Sequence, residues 1–119
     1  MELSFYDKLA LSTFTSLEKQ SMYQLLCGAM IVDGARDSRE VEIINEINRI
    51  MQFTVEEQQA SRRLSHETMV NTLRSMDTLK KAYVAKFMAQ VIIADGVITD
   101  REEKFFYYIS QALDLPNLG

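Results

Sequence analysis

Leu25 to Glu40, LLCGAMIVDGARDSRE, and Phe87 to Glu102, FMAQVIIADGVITDRE, follow one pattern: an apolar run ending in Asp-Gly, a short turn, then Arg-Glu opening a further segment. Set over one another they share Ile31/Ile93, Asp33/Asp95, Gly34/Gly96, Arg39/Arg101 and Glu40/Glu102, and the register continues to Ile47/Ile109, a constant offset of 62 positions. Downstream, Ile43, Ile44, Ile47, Ile50 and Met51 fall on Phe105, Phe106, Ile109, Ala112 and Leu113. Apolar residues at i, i+1, i+4, i+7 and i+8 make one face of a 3.6-residue helix, so each copy is an apolar helix, a corner and a second, amphipathic helix. A duplicated unit of this size buries its apolar face against its twin.

The remaining sequence extends the helical pattern. Glycine occurs four times and proline once, at Pro116, and strand-like alternation is absent over most of the length. The expected fold is an all-α, single-domain bundle of about seven helices over residues 1–119, built from two pseudo-symmetric repeats at about 17–54 and 78–116. The first helix should run from Leu3 to about Ser12, with Phe5 or Tyr6, Leu9 and Phe14 facing the core. Thr15-Ser16-Leu17-Glu18, Asp37-Ser38-Arg39-Glu40, Thr54-Val55-Glu56-Glu57 and Thr99-Asp100-Arg101-Glu102 each fit a capping box, in which a side-chain oxygen accepts a backbone N–H and the Glu reaches back. They place helix starts before segments ending near Val32, Gln52, Leu64 and Leu113. Ser65 caps a helix to about Met76 with Met69, Val70, Leu73 and Met76 on one side, and Asp77 or Thr78 begins another ending near Ala94. Leu25–Val32 and Phe87–Ala94 are apolar nearly all round, which marks their helices as central.

Composition narrows the function classes. Thirteen basic against 17 acidic residues, a net charge of −4, lack the footprint of a nucleic-acid binder, and Arg62-Arg63 and Lys80-Lys81 are isolated pairs. The single cysteine, Cys27, lies in an apolar run, where it should be a small buried hydrophobe in a reducing compartment, so the cytoplasm is the expected location. Glu2, Asp7 and Lys8 interrupt the N-terminal stretch, so neither a signal peptide nor direct membrane insertion is expected.

The unusual residues are Asp33 and Asp95. Negative charge at a helix C-terminus opposes the macrodipole by about 0.3–1 kcal/mol, so a partner should offset it: turn N–H groups, Arg39 or Arg101, or a metal. The interval from Gly34 to Glu40 and from Gly96 to Glu102 matches that between the glycine and the bidentate glutamate of an EF-hand loop. The first and third ligand positions of such a loop fall on Ala29 and Ile31, and on Val91 and Ile93, which cannot coordinate a cation. A half-site using Asp95, Thr99, Asp100 and Glu102, completed by water or by the other repeat, stays open beside the reading in which Glu40 and Glu102 only cap helices. A divalent cation, calcium or another, is the one cofactor the pattern allows. His66 begins a polar helix with no nucleophile pattern near it, and no phosphate loop, zinc spacing or nucleophile elbow occurs. Tyr107 and Tyr108 stand where the first copy has Asn45 and Glu46, away from the core; adjacent exposed tyrosines suit a partner or homodimer contact, and the alternative is that a further helical segment or the chain end covers them.

The apolar helices ending in VDG and ADG, with Glu40 and Glu102 behind them and IIADGVITDREE in the second copy, resemble the TerB-like family, the tellurite-resistance-associated helical domain also found in DjlA-type co-chaperones. The resemblance implies an acidic cluster suspected of binding metal, falling here on Asp33, Glu40, Asp95 and Glu102. It also implies links to stress or tellurite resistance and to membrane-associated partner complexes. In the first copy Arg36 stands in place of an aliphatic residue and Asp37 in place of threonine, and no His-Pro-Asp tripeptide of a J-domain occurs. The expectation is a non-enzymatic module that binds a protein partner; the alternatives are a metal-assisted enzyme using the four carboxylates and a plain scaffold that dimerises through its tyrosines.

Overall fold

The computed structural model describes residues 4–31, 38–94, 96 and 98–115. Among them are seven helices and no strand: α1 (Phe5–Leu11), α2 (Ser16–Ile31), α3 (Ser38–Met51), α4 (Val55–Ser61), α5 (His66–Arg74), α6 (Thr78–Ile92) and α7 (Asp100–Leu113). Their starts are set by local chemistry. Thr15 N–H donates to Glu18 Oε1 (2.8 Å) while Glu18 N–H donates to Thr15 Oγ1 (3.2 Å), and Thr54 with Glu57 and Thr99 with Glu102 repeat the arrangement. Ser65 and Asp77 cap α5 and α6, and Ser4 with Asp7 forms one further reciprocal cap at α1.

The helix ends owe more to tertiary context. α3 and α7 each stop at a non-glycine residue in the left-handed region, Gln52 (φ 56°) and Asp114 (φ 53°). Such a conformation costs roughly 1–2 kcal/mol without glycine. It is offset because the next residues, Phe53 and Leu115, turn back onto the core. α4 ends at Ser61 rather than near Leu64: residues 62 to 64 wind on as i to i−3 turns, and Gln24 on α2 donates to the Ser61 carbonyl (2.8 Å) and the Leu64 carbonyl (2.9 Å), satisfying the frayed end. α5 likewise ends at Arg74, two residues short of Met76.

α2 and α6 pack on each other at the centre. α2 is covered further by α3, α4 and α5, and α6 by α3 and α7, while α5 also meets α7. Met22, Leu25, Leu26 and Ala29 from α2 are buried against Val84, Phe87, Met88 and Val91 from α6 and against the inward faces of the surrounding helices. The Cα radius of gyration, 13.3 Å, is close to the roughly 13.5 Å of a single folded domain of this length.

Two inward placements expected from sequence do not hold. Phe5, Tyr6 and Leu9 are 73%, 79% and 56% exposed; α1 instead buries Leu11, and Phe14 follows it into the core. The Tyr83 hydroxyl on α6 donates to Asp7 Oδ1 and turns the Asp7–Leu11 face inward. Phe5 and Leu9, two residues out of step at 100° per residue, then point almost directly away. Cys27 is half-buried rather than fully buried. Leu9→Ser should therefore leave the unfolding free energy of the monomer within about 0.5 kcal/mol of the parent, measured at low protein concentration. Leu11→Ala should cost about 2–5 kcal/mol, both read by urea denaturation.

Candidate functional site

The α6–α7 corner holds most of the described candidate residues. Thr99 N–H donates to Glu102 Oε1 (3.1 Å), the Thr99 hydroxyl reaches the same oxygen (3.2 Å), and Glu102 N–H donates back to Thr99 Oγ1 (3.2 Å). Glu102 is only 2% exposed and Glu40, its counterpart at the start of α3, 5%. Gly96 has φ +82°, a backbone state that a side chain would strain. Asp33 and Asp95 lie outside the described residues. Asp100 is exposed and faces the α6–α7 groove rather than Glu102's cap. Among the described residues no three His, Cys, Asp or Glu side chains converge as a metal ion would require. His66 is an exposed first-turn residue of α5.

Beside this corner runs a groove of about 870 Å³ between the C-terminal half of α6 and α7. Its floor is Ala89, Ile92 and Phe106, its walls Ile93, Ile98 and Tyr107, and its rim carries Asp100, Glu103 and Lys104. Ile93, Ile98 and Tyr107 are more than half exposed, so water meets a contiguous apolar surface here. Of the two tyrosines singled out in the sequence, Tyr107 lines the groove, whereas Tyr108 is exposed outside it. The groove itself is not apparent in the repeat alignment. Its sequence signal is the pair of isoleucines, Ile93 and Ile98, straddling an Asp-Gly turn where polar residues are the rule.

Long-range polar contacts tie the start of α6 and the start of α4 to the start of α2. Lys80 Nζ on α6 meets Glu18 Oε1 on α2 at 2.8 Å, donates to the Thr13 carbonyl (3.1 Å) and lies 5.4 Å from the Phe14 ring centroid. Ser16 donates to the buried Glu57 carboxylate (2.7 Å), tying α4 to the start of α2. Burial pushes the Glu57 carboxyl up, but the Thr54 N–H, the Ser16 hydroxyl and the nearby Lys19 charge together hold it below its ordinary value.

The Tyr83–Asp7 hydrogen bond ties α1 to α6. Accepting from the Tyr83 hydroxyl, and next from Ser4, lowers the Asp7 carboxyl, while the Asp7 acceptor and then partial burial push the Tyr83 hydroxyl up to about 12. No residue within this bond hints at it in the sequence, since 76 positions separate the partners.

In overall fold the chain is similar to the crystal structure of a protein of unknown function, PG1108 from Porphyromonas gingivalis W83. The two share 22% sequence identity, with a TM-score of 0.75 over 99% of this chain and 88% of that one. A likeness at that identity speaks to the fold alone. No protein-family model and no curated protein matches the sequence.

Removing the Thr99 hydroxyl should destabilise the protein by about 0.5–2 kcal/mol in thermal or urea unfolding, with Thr99→Ser restoring most of the loss. The Tyr83–Asp7 bond gives stability a defined pH window. A raised folded-state pKa contributes stability that is whole below the unfolded value of 10.0 and is lost as pH rises toward about 12. The lowered Asp7 value contributes above the ordinary carboxyl value of 3.8 and is lost as pH falls below it. Tyr83→Phe should flatten both limbs of a plot of melting temperature against pH and leave the slope near neutrality unchanged.

Proposed function

We propose that the chain is a non-enzymatic interaction module of the TerB-like kind, two pseudo-symmetric helical halves that bind a helix of a protein partner in the α6–α7 groove. The observation that carries this reading is the groove itself, an apolar channel of about 870 Å³ lined by the exposed Ile93, Ile98 and Tyr107.

One offset of 62 positions supports the two halves. Under it Leu11 and Leu73, Phe14 and Met76, Met22 and Val84, Leu25 and Phe87, Ile47 and Ile109, and Met51 and Leu113 are pairs with both members buried. α2 and α6 start at Ser16 and Thr78, and the left-handed helix ends, Gln52 and Asp114, also correspond. α1 then falls over α5, which supports extending the same offset to the helices that precede residues 17 and 78. Glu18 and Lys80 are equivalents too, and they pair with each other at 2.8 Å. A residue reaches its own counterpart only near the axis relating the halves, so this pair marks where a pseudo-two-fold axis would pass.

The repeat also supports the choice of a helix as the bound element. In the first half α4 packs on α2 and reaches α3: Gln58 accepts from the Tyr23 hydroxyl (3.5 Å) and donates to Asn48 (3.3 Å). The offset carries Asn48 to Ser110, Met30 to Ile92 and Ile44 to Phe106, all lining the groove. Among the described residues no helix does for α6 and α7 what α4 does for α2 and α3. At the corner, the reciprocal bonds between Thr99 and Glu102 support a helix-start role for Glu102 over a cation-ligating one.

A fluorescein-labelled amphipathic peptide, with leucines at i, i+3, i+4 and i+7 and lysines on its polar face, should bind saturably by anisotropy. Ile93→Glu should weaken it about tenfold or more, roughly 1.4 kcal/mol, with circular dichroism unchanged. Saturable binding indifferent to Ile93→Glu, or none at all, would overturn the groove as the site.

A further inference from the structure

We infer that the helix received by the α6–α7 groove is α1 of a second copy of this chain, so that two copies exchange the outward faces of their α1 helices across a two-fold axis. This rests on the groove being a helix-docking site and names its occupant.

α1 has two faces with different duties. One is anchored in its own copy by the Tyr83–Asp7 bond and by burial of Leu11. The other presents Phe5, Tyr6 and Leu9 to water at i, i+1 and i+4, the spacing with which an amphipathic helix enters a groove. A short helix already formed and capped by Ser4 and Asp7 on its own copy has lost part of the conformational freedom that docking would otherwise remove. It is therefore a pre-organised ligand.

Charge favours the same pairing. Lys8 lies on the exposed part of α1, and the groove rim carries Asp100 and Glu103 against one lysine, Lys104. The apolar contents also correspond, since two aromatic rings and a leucine would meet a channel walled by Ile93, Ile98 and Tyr107. Aromatic side chains of this kind dominate the energy of small interfaces.

Placement allows the contact to close. Asp7 of α1 touches Tyr83 and lies near the Lys86 charge on α6; Ala89 and Ile93, three and seven residues beyond Lys86 on its side of that helix, line the groove. From Lys86 to Ile93 the helix rises about 10 Å, so the channel begins within two turns of the point where α1 is anchored. A projecting patch beside its own complement is self-complementary, and a two-fold operation satisfies both contacts at once.

Sedimentation velocity over a concentration series should show a monomer–dimer equilibrium. Phe5→Ser with Leu9→Ser, and separately Ile93→Glu, should each raise the dimer Kd about tenfold or more without changing circular dichroism. In a Cys27→Ser background, Leu9→Cys protein mixed with Tyr107→Cys protein should give a cross-linked species of dimer mass. A wild-type monomer at every concentration, or a dimer indifferent to the α1 changes, would overturn the inference. If that monomer still binds the amphipathic peptide and Ile93→Glu abolishes the binding, the groove reading stands and only the second copy as its occupant falls. If peptide binding is absent as well, both fall.

Discussion

The C-terminal halves of α2 and α6 carry apolar side chains around most of their circumference, and no single neighbour can cover such a surface. Burial contributes roughly 25 cal/mol for each Å² of apolar area removed from water, so each helix gains by packing against its twin and then recruiting others around the pair. α3, α4 and α5 enclose α2, while α3 and α7 enclose α6. The remaining helices are arranged by that requirement. α1 adds Leu11 to the core and Phe14 closes behind it. The Glu18–Lys80 contact, half-buried where α2 meets α6, sets the register of the central pair through one short ion pair and a carbonyl bond.

The enclosure is uneven, and the proposed function arises from that unevenness. α2 has α4 lying across it and reaching α3, whereas the corresponding channel beside α6 and α7 is open among the described residues. Ile93 and Ile98 stand at its edge, where a fully closed bundle would place polar residues. An apolar channel of this kind is a cost to an isolated molecule and a gain to one that binds. α1 presents the converse, a capped helix with an apolar outer face, and in the proposed dimer the two together make the surface of this protein self-complementary.

The buried glutamates show how local chemistry and burial cooperate. Glu57 and Glu102 lie in the protein interior, yet each closes a helix start by accepting backbone N–H bonds, and Glu57 takes a further bond from Ser16. A carboxylate so engaged retains hydrogen bonds in place of its hydration shell, which is how a charged residue can be nearly inaccessible without a large penalty. The same bonds hold the Glu57 carboxyl below its usual value even though burial alone would raise it. A capping glutamate of this sort resembles a metal ligand in sequence, since both call for a carboxylate a few residues after a turn.

The sequence by itself determined what depends on neighbours a few residues apart. Helix content followed from the 3.6-residue periodicity, helix starts from hydroxyl and Asp caps, most with a Glu three positions on, and the central place of α2 and α6 from C-terminal halves that are apolar nearly all round. Tertiary structure decided what depends on partners far along the chain. Leu11, and not Phe5 or Leu9, enters the core because Tyr83, 76 positions beyond Asp7, rotates α1. α4 ends early because Gln24 takes its last carbonyls, and α3 and α7 stop at non-glycine residues because Phe53 and Leu115 have a core to return to. The groove likewise appears only once α6 and α7 are packed, since its floor and walls come from helix faces that the linear pattern treats separately. Local preferences are written in short-range spacing; which face of an amphipathic helix is buried, and which channel between helices is left open, depends on packing energies summed over the whole molecule.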